Sequence, residues 1–108
     1  MSHANPYMRF GLSDPQYKLL SKLVIDPLKT AGARVWIFGS RARGDHRLVS
    51  DVDLLYDFPG PNLIPKGLIF NVTSDLEESR FPYTLDLVRV SDLAHSYKEN
   101  ILRERIEI

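Results

Sequence analysis

The sequence predicts a small domain of the α/β (α+β) class, a sheet covered by helices. Three observations lead there. Apolar residues recur first at helical spacing and then in short β-branched and aromatic runs, which gives the order α-β-α-β-α-β-α. The chain has 108 residues, the size of one domain. Hydrophobic residues make up 44% of it, which favours a folded core over disorder.

Residues 1–12 read as a flexible leader, and the domain runs over residues 13–108. Ser13 opens a helix: Gln16 stands three residues on, as in a capping box, and Pro15 sits where a missing N–H does no harm. Leu19, Leu20, Leu23, Val24 and Leu28 form its apolar stripe. Asp26-Pro27 should kink or restart the helix, and Gly32 should end it. Arg34 to Phe38 is a short strand. Gly39-Ser40 makes a turn into a short helix through Arg43, before Gly44. Asp51 to Phe58 is a second strand, and Pro59, Gly60, Pro61 and Pro65 break the chain into a loop. A helix is expected over Lys66 to Ser79 and a third strand over Tyr83 to Val90. Ser91 is expected to cap a last helix whose apolar side is Leu93, Tyr97, Ile101 and Leu102.

Composition narrows the chemistry. Fourteen basic residues balance fourteen acidic ones, so no bulk field for sequence-independent nucleic-acid binding is expected. A small anion held by a local cluster stays open. Without cysteine there are no disulfides or thiolate metal sites, and a reducing cytoplasm is the simplest setting. No apolar run approaches the ~20 residues of a membrane helix, so no membrane association is expected.

The candidate site begins with two aspartates. Asp51 and Asp53 lie two apart on an expected strand, so their carboxylates leave the same face. Two such anions repel unless a cation sits between them, and oxygen ligands beside phosphates suit Mg²⁺. Asp86 interrupts the apolar run from Tyr83 to Val88, with Leu85 and Leu87 on the opposite face. If that strand lies beside the Asp51 strand, all three carboxylates can converge around two ions. That arrangement serves in-line displacement at phosphorus, with Asp86 on the nucleophile side as ligand or general base. Upstream, Gly39 lets the backbone approach a phosphate, the following helix start offers N–H donors, and the Ser40 hydroxyl can add a bond. Arg41, Arg43, His46 and Arg47 follow as the one dense cationic cluster. Arg41 and Arg43 are the candidates for a triphosphate tail, since arginine binds phosphate bidentately. His46 and Arg47 read as a solvated loop.

Gly39-Ser40-Arg41-Ala42-Arg43-Gly44 and Ser50-Asp51-Val52-Asp53-Leu54-Leu55 together resemble the signature of the DNA polymerase β superfamily of nucleotidyltransferases. Ten residues separate Ser40 from Asp51, the spacing of its minimal nucleotidyltransferase (MNT) subfamily. The resemblance implies a small mixed sheet with helices packed on one face, a palm-like fold. It implies that Gly39 and Ser40 hold the nucleotide triphosphate, with ATP as the expected donor, and that Asp51, Asp53 and Asp86 bind Mg²⁺. Members of this size commonly act with a separate all-helical HEPN-domain protein. In such toxin–antitoxin pairs the HEPN protein is a ribonuclease toxin, and some MNT antitoxins transfer AMP from ATP onto its tyrosine. The expectation is therefore a nucleotidyltransferase working in a hetero-oligomer. The alternatives are a nucleotide-binding antitoxin that acts by complex formation, and a transferase for a small molecule.

Simpler readings stand beside these. Asp86 could pair with Arg89 or Arg34. Trp36 and Phe38 read as core, Asp57 as a strand-end acid, His3 and His95 as surface residues, and Asp75, Glu77 and Glu78 as an exposed helix face. The apolar C-terminal run from Ile101 to Ile108, and the loop with Phe58, Leu63 and Ile64, could dock a partner or fold back onto the core.

Overall fold

The computed structural model describes residues 9–47, 49–59 and 64–108. Its elements are α1 (Asp14–Leu20), a π-helical turn (Ser21–Ile25), α2 (Asp26–Thr30), β1 (Arg34–Phe38), α3 (Gly39–Arg43), β2 (Val52–Asp57), α4 (Leu68–Glu77), β3 (Leu85–Arg89), α5 (His95–Glu104) and β4 (Ile106–Glu107).

The capping box forms as the sequence requires. Gln16 N–H donates to the Ser13 hydroxyl at 3.3 Å, and Ser13 N–H donates to Oε1 of Gln16 at 2.8 Å. At Pro27 the helix neither stops nor breaks. Proline cannot donate to the carbonyl four residues back and crowds it, so the chain widens by one residue per turn just before it. The N–H of Asp26 accordingly donates to Ser21 O, five residues back.

The four strands are ordered β3-β2-β1-β4. β1 pairs antiparallel with β2 and β4, and β2 pairs parallel with β3, so the sheet is mixed. Side chains alternate across it. Val35, Ile37, Val52, Leu54 and Tyr56 face α1, α2 and α4, where Leu20, Val24, Leu28, Val72 and Leu76 close the main core. The opposite face carries Trp36, Phe38 and Leu55, half-roofed by Leu93, Ile101 and Leu102 of the α5 region. Arg34 and Arg105 lie over the Trp36 ring at 5.0 and 4.1 Å.

Several sequence expectations need correction. Residues 9–12 are ordered: Arg9 and Leu12 form a bridge, and Leu12 is fully buried because its side chain joins the main core. Residues 1–8, with His3, lie outside the described residues, as do Gly60, Pro61 and Leu63 of the expected loop. Ser91 caps no helix. It lies in a 3₁₀ turn over Val90–Asp92, and α5 starts after Ala94. The expected α4 and β3 are each shorter at both ends. The C-terminal run does not stand free: Ile108 N–H donates to Val35 O at 3.0 Å, and Arg34 grips Glu107. β4 was not foreseen, since two residues carry too little pattern. Phe58 is buried and Ile64 packs against the main core, so both finish the core. Among the described residues no helix is long and apolar enough to cross a membrane.

Candidate active site

Strand register assembles the site. Phe38, the last residue of β1, pairs with Asp53, and Asp53 pairs in turn with Asp86. Paired residues point to the same face, so both carboxylates leave the α5 side of the sheet at one end. Neighbouring strands lie about 4.8 Å apart. Asp51 precedes β2 by one residue and is exposed, as is Asp86, while Asp53 is half-buried.

Gly39 follows Phe38 and so lies against Asp53. Its φ is +75°, and a Cβ there would collide with Oδ2 of Asp53 and lie 3.2 Å from its Cγ. Only glycine satisfies both constraints. Ser40 stands in the first turn of α3, and its carbonyl closes the helix by accepting from Gly44 and Asp45 N–H at 2.9 and 3.1 Å.

Burial first, and then the carboxylates of Asp86 and Asp51, push Asp53 up from 3.8 to about 6, while Arg41 and Arg43 pull it down. Asp53 therefore feels both of the other acids. Even so, among the described residues no three His, Cys, Asp or Glu side chains lie close enough to hold an ion together. An all-oxygen donor set with surplus negative charge at a half-buried member fits a hard divalent ion such as Mg²⁺.

The two arginines do not behave as the sequence suggested. Arg41 is 2% exposed. Its Nε and Nη2 donate to Ser50 O at 3.1 and 2.8 Å, and its Nη1 donates to Phe10 O at 2.9 Å. Its guanidinium also lies 4.4 Å above the Tyr83 ring. Arg41 is thus corrected from a phosphate contact to an internal tie. It joins the residue before Asp51, the N-terminal turn and the approach to β3. Arg43 is half-exposed and spans Asp45 and Glu104, both at 3.1 Å, which links α3 to α5. Asp45 and then Glu104 raise its proton affinity further. Neither of the simpler pairings of Asp86 occurs: Arg34 is taken by Glu107 at 2.7 Å, and no described ion pair involves Asp86 or Arg89. His46 was read as solvated, yet it is half-buried against Gly11, and its Nδ1 is buried with no partner among the described residues. Nothing in its sequence neighbourhood signals this, because the contact comes from residues 35 positions away.

Comparison with known proteins agrees with this fold. A family model described as polymerase beta, nucleotidyltransferase, matches residues 29–108. The solved structure of a minimal nucleotidyltransferase is 27% identical with a TM-score of 0.66, covering 96% of this chain and all of that one. A toxin–antitoxin crystallised with AMP-PNP is 16% identical with a TM-score of 0.59, covering 81% of this chain and 70% of that one, a likeness of fold. No curated protein matches the sequence.

Proposed function

Because the chain belongs to the polymerase beta nucleotidyltransferase family, we propose that it transfers AMP from ATP onto a protein acceptor, a tyrosine of a HEPN-type ribonuclease toxin, as the antitoxin of that pair. The observation that carries this reading is the register of Asp53 against Asp86, with Gly39 pressed on Asp53. It puts two strand carboxylates beside a turn that admits phosphate backbone-close. The toxin–antitoxin nature of one fold neighbour supports the choice of partner.

In this proposal Asp51, Asp53 and Asp86 hold Mg²⁺, which when bound supplies charge neutralisation at the phosphates. Gly39 and Ser40 seat the triphosphate. Asp86, on the outer strand, stands on the acceptor side and takes the hydroxyl proton. The acceptor oxygen forms a bond to the α-phosphorus, the bond from that phosphorus to the β-phosphate oxygen breaks, and pyrophosphate leaves. Arg43 helps retain the phosphates only if it releases Asp45 or Glu104. Arg41 contributes from beneath, by fixing Ser50.

Incubation with α-labelled ATP, Mg²⁺ and the HEPN partner should label the partner, and Asp53→Ala should abolish this. Labelling that survives the substitution defeats the assignment. A second reading is a nucleotide-binding antitoxin that acts by complex formation, which the toxin–antitoxin fold neighbour supports equally well. A protein carrying Asp51→Ala and Asp53→Ala that still neutralises the toxin in cells would select it.

A further inference from the structure

β3 is an edge of the sheet. Val52 N–H donates to Thr84 O at 2.8 Å, and Val52 is level with Leu85. In a parallel pair this turns the N–H and C=O of Thr84 and Asp86 toward β2, and those of Leu85 and Leu87 outward. Among the described residues nothing bonds to the outward groups. An open edge of this kind is a template for another strand.

The edge also borders a cavity. A groove of about 500 Å³ runs between α4 and the approach to β3, lined by Thr73, Leu76, Glu77, Phe81, Tyr83 and Leu85 among others. Glu77 is the one charged side chain in its wall. Phe70 lies on the same side of α4 as Thr73 and Glu77 and is 72% exposed. The groove is on the Leu85 face of the strand, and Asp86 is on the other face, one residue along.

We propose that β3 receives an extended segment of the protein acceptor as a fifth strand, with one side chain in the α4 groove and the adjacent hydroxyl-bearing one beside Asp86. This rests on the protein-acceptor reading above. Strand alternation is what makes a single segment suffice: a residue level with Leu85 points into the groove, and its neighbour level with Asp86 points to the carboxylates. The continuity of groove, edge and acids argues for the acceptor as occupant. The Glu77 carboxylate beside apolar walls argues for a basic or large apolar residue next to the modified one. Main-chain pairing supplies affinity with little sequence demand, and the groove supplies the choice.

The probe is a positional-scanning library of tyrosine-centred heptapeptides, with α-labelled ATP and Mg²⁺. The wild type should select Lys, Arg or a large apolar residue at one position adjacent to the tyrosine. Thr73→Arg, which fills the groove from a partly exposed helix position, should raise KM for the best peptide about tenfold or more, with kcat and the KM for ATP within about twofold. Glu77→Lys, at an exposed position, should turn the basic preference into an acidic one. Wild-type labelling with no neighbour preference, or a preference that both variants leave unchanged, overturns the edge-strand site and spares the protein-acceptor reading. Failure of the wild type to label any peptide while it labels the HEPN partner overturns the edge-strand site alone; failure on both, or labelling of RNA ends instead, overturns both readings.

Discussion

Asp53→Asn should make the metal-free protein more stable at neutral pH, because the native site holds an ionised carboxylate at a loss. Its proton affinity rises from 3.8 to about 6 on folding, through burial first and then Asp86 and Asp51. At about 1.4 kcal/mol per factor of ten, this corresponds to about 3 kcal/mol. Asp53 is only half-buried, and water screens such charges, so about 1–1.5 kcal/mol is the realistic share. The sign follows from linkage. The folded state binds this proton more tightly than the unfolded one, so the stability it contributes is whole below pH 3.8 and is lost as pH rises through about 6. Asparagine keeps the shape and removes the charge. Urea unfolding in EDTA, followed by the buried Trp36, should show the variant ahead by about 1–1.5 kcal/mol at pH 8, with the gap closing toward pH 4.5. Saturating Mg²⁺ should reverse the order, by stabilising the wild type alone. A variant no more stable than wild type at pH 8, or a gap independent of pH, would refute the electrostatic account of the site.

Other substitutions probe the supports. Gly39→Ala forces a side chain into a φ of +75° against Asp53; about 1–2 kcal/mol of backbone strain should accompany a loss of labelling of about a hundredfold, and activity near wild type in the kinetic assay would sink this reading. Arg41→Met strips donors from Ser50 O and Phe10 O, so urea unfolding should register a loss of about 2–4 kcal/mol, whereas under about 1 kcal/mol would show that these ties are dispensable. Ser13→Ala removes the cap from α1 and should cost about 1 kcal/mol without changing the KM for ATP, which separates helix stability from the site.

How much of this could be read in the sequence depends on the range over which each feature is decided. Ser13 and Gln16 satisfy each other within one turn, so the capping box could be named residue by residue. Pro27 removes a donor wherever it sits, so a disturbance was certain, but a kink, a restart and a π turn are all ways to absorb it, and the sequence does not choose among them. The carboxylate pattern depends on strand alternation and on one pairing, and β2 and β3 adopt the register that alternation required. Features decided by distant contacts were hidden. Arg41 follows Ser40 in a run that looks cationic and outward, yet one turn of α3 aims it inward, to carbonyls 9 and 31 residues away. Ser91 has the chemistry of a cap but sits where the chain must first turn off β3.

The buried arginine ties these observations together. A solvated Arg41 would leave Ser50 O without that donor and the loop before Asp51 free to drift, whereas the observed one binds that carbonyl twice and lies over Tyr83, three residues before Asp86. A single guanidinium therefore links the segments that lead into the two strands' acids, and it lowers the proton affinity of Asp53 through space. The same residue that looked like a ligand for phosphate thus works from within, on the segments that carry the carboxylates.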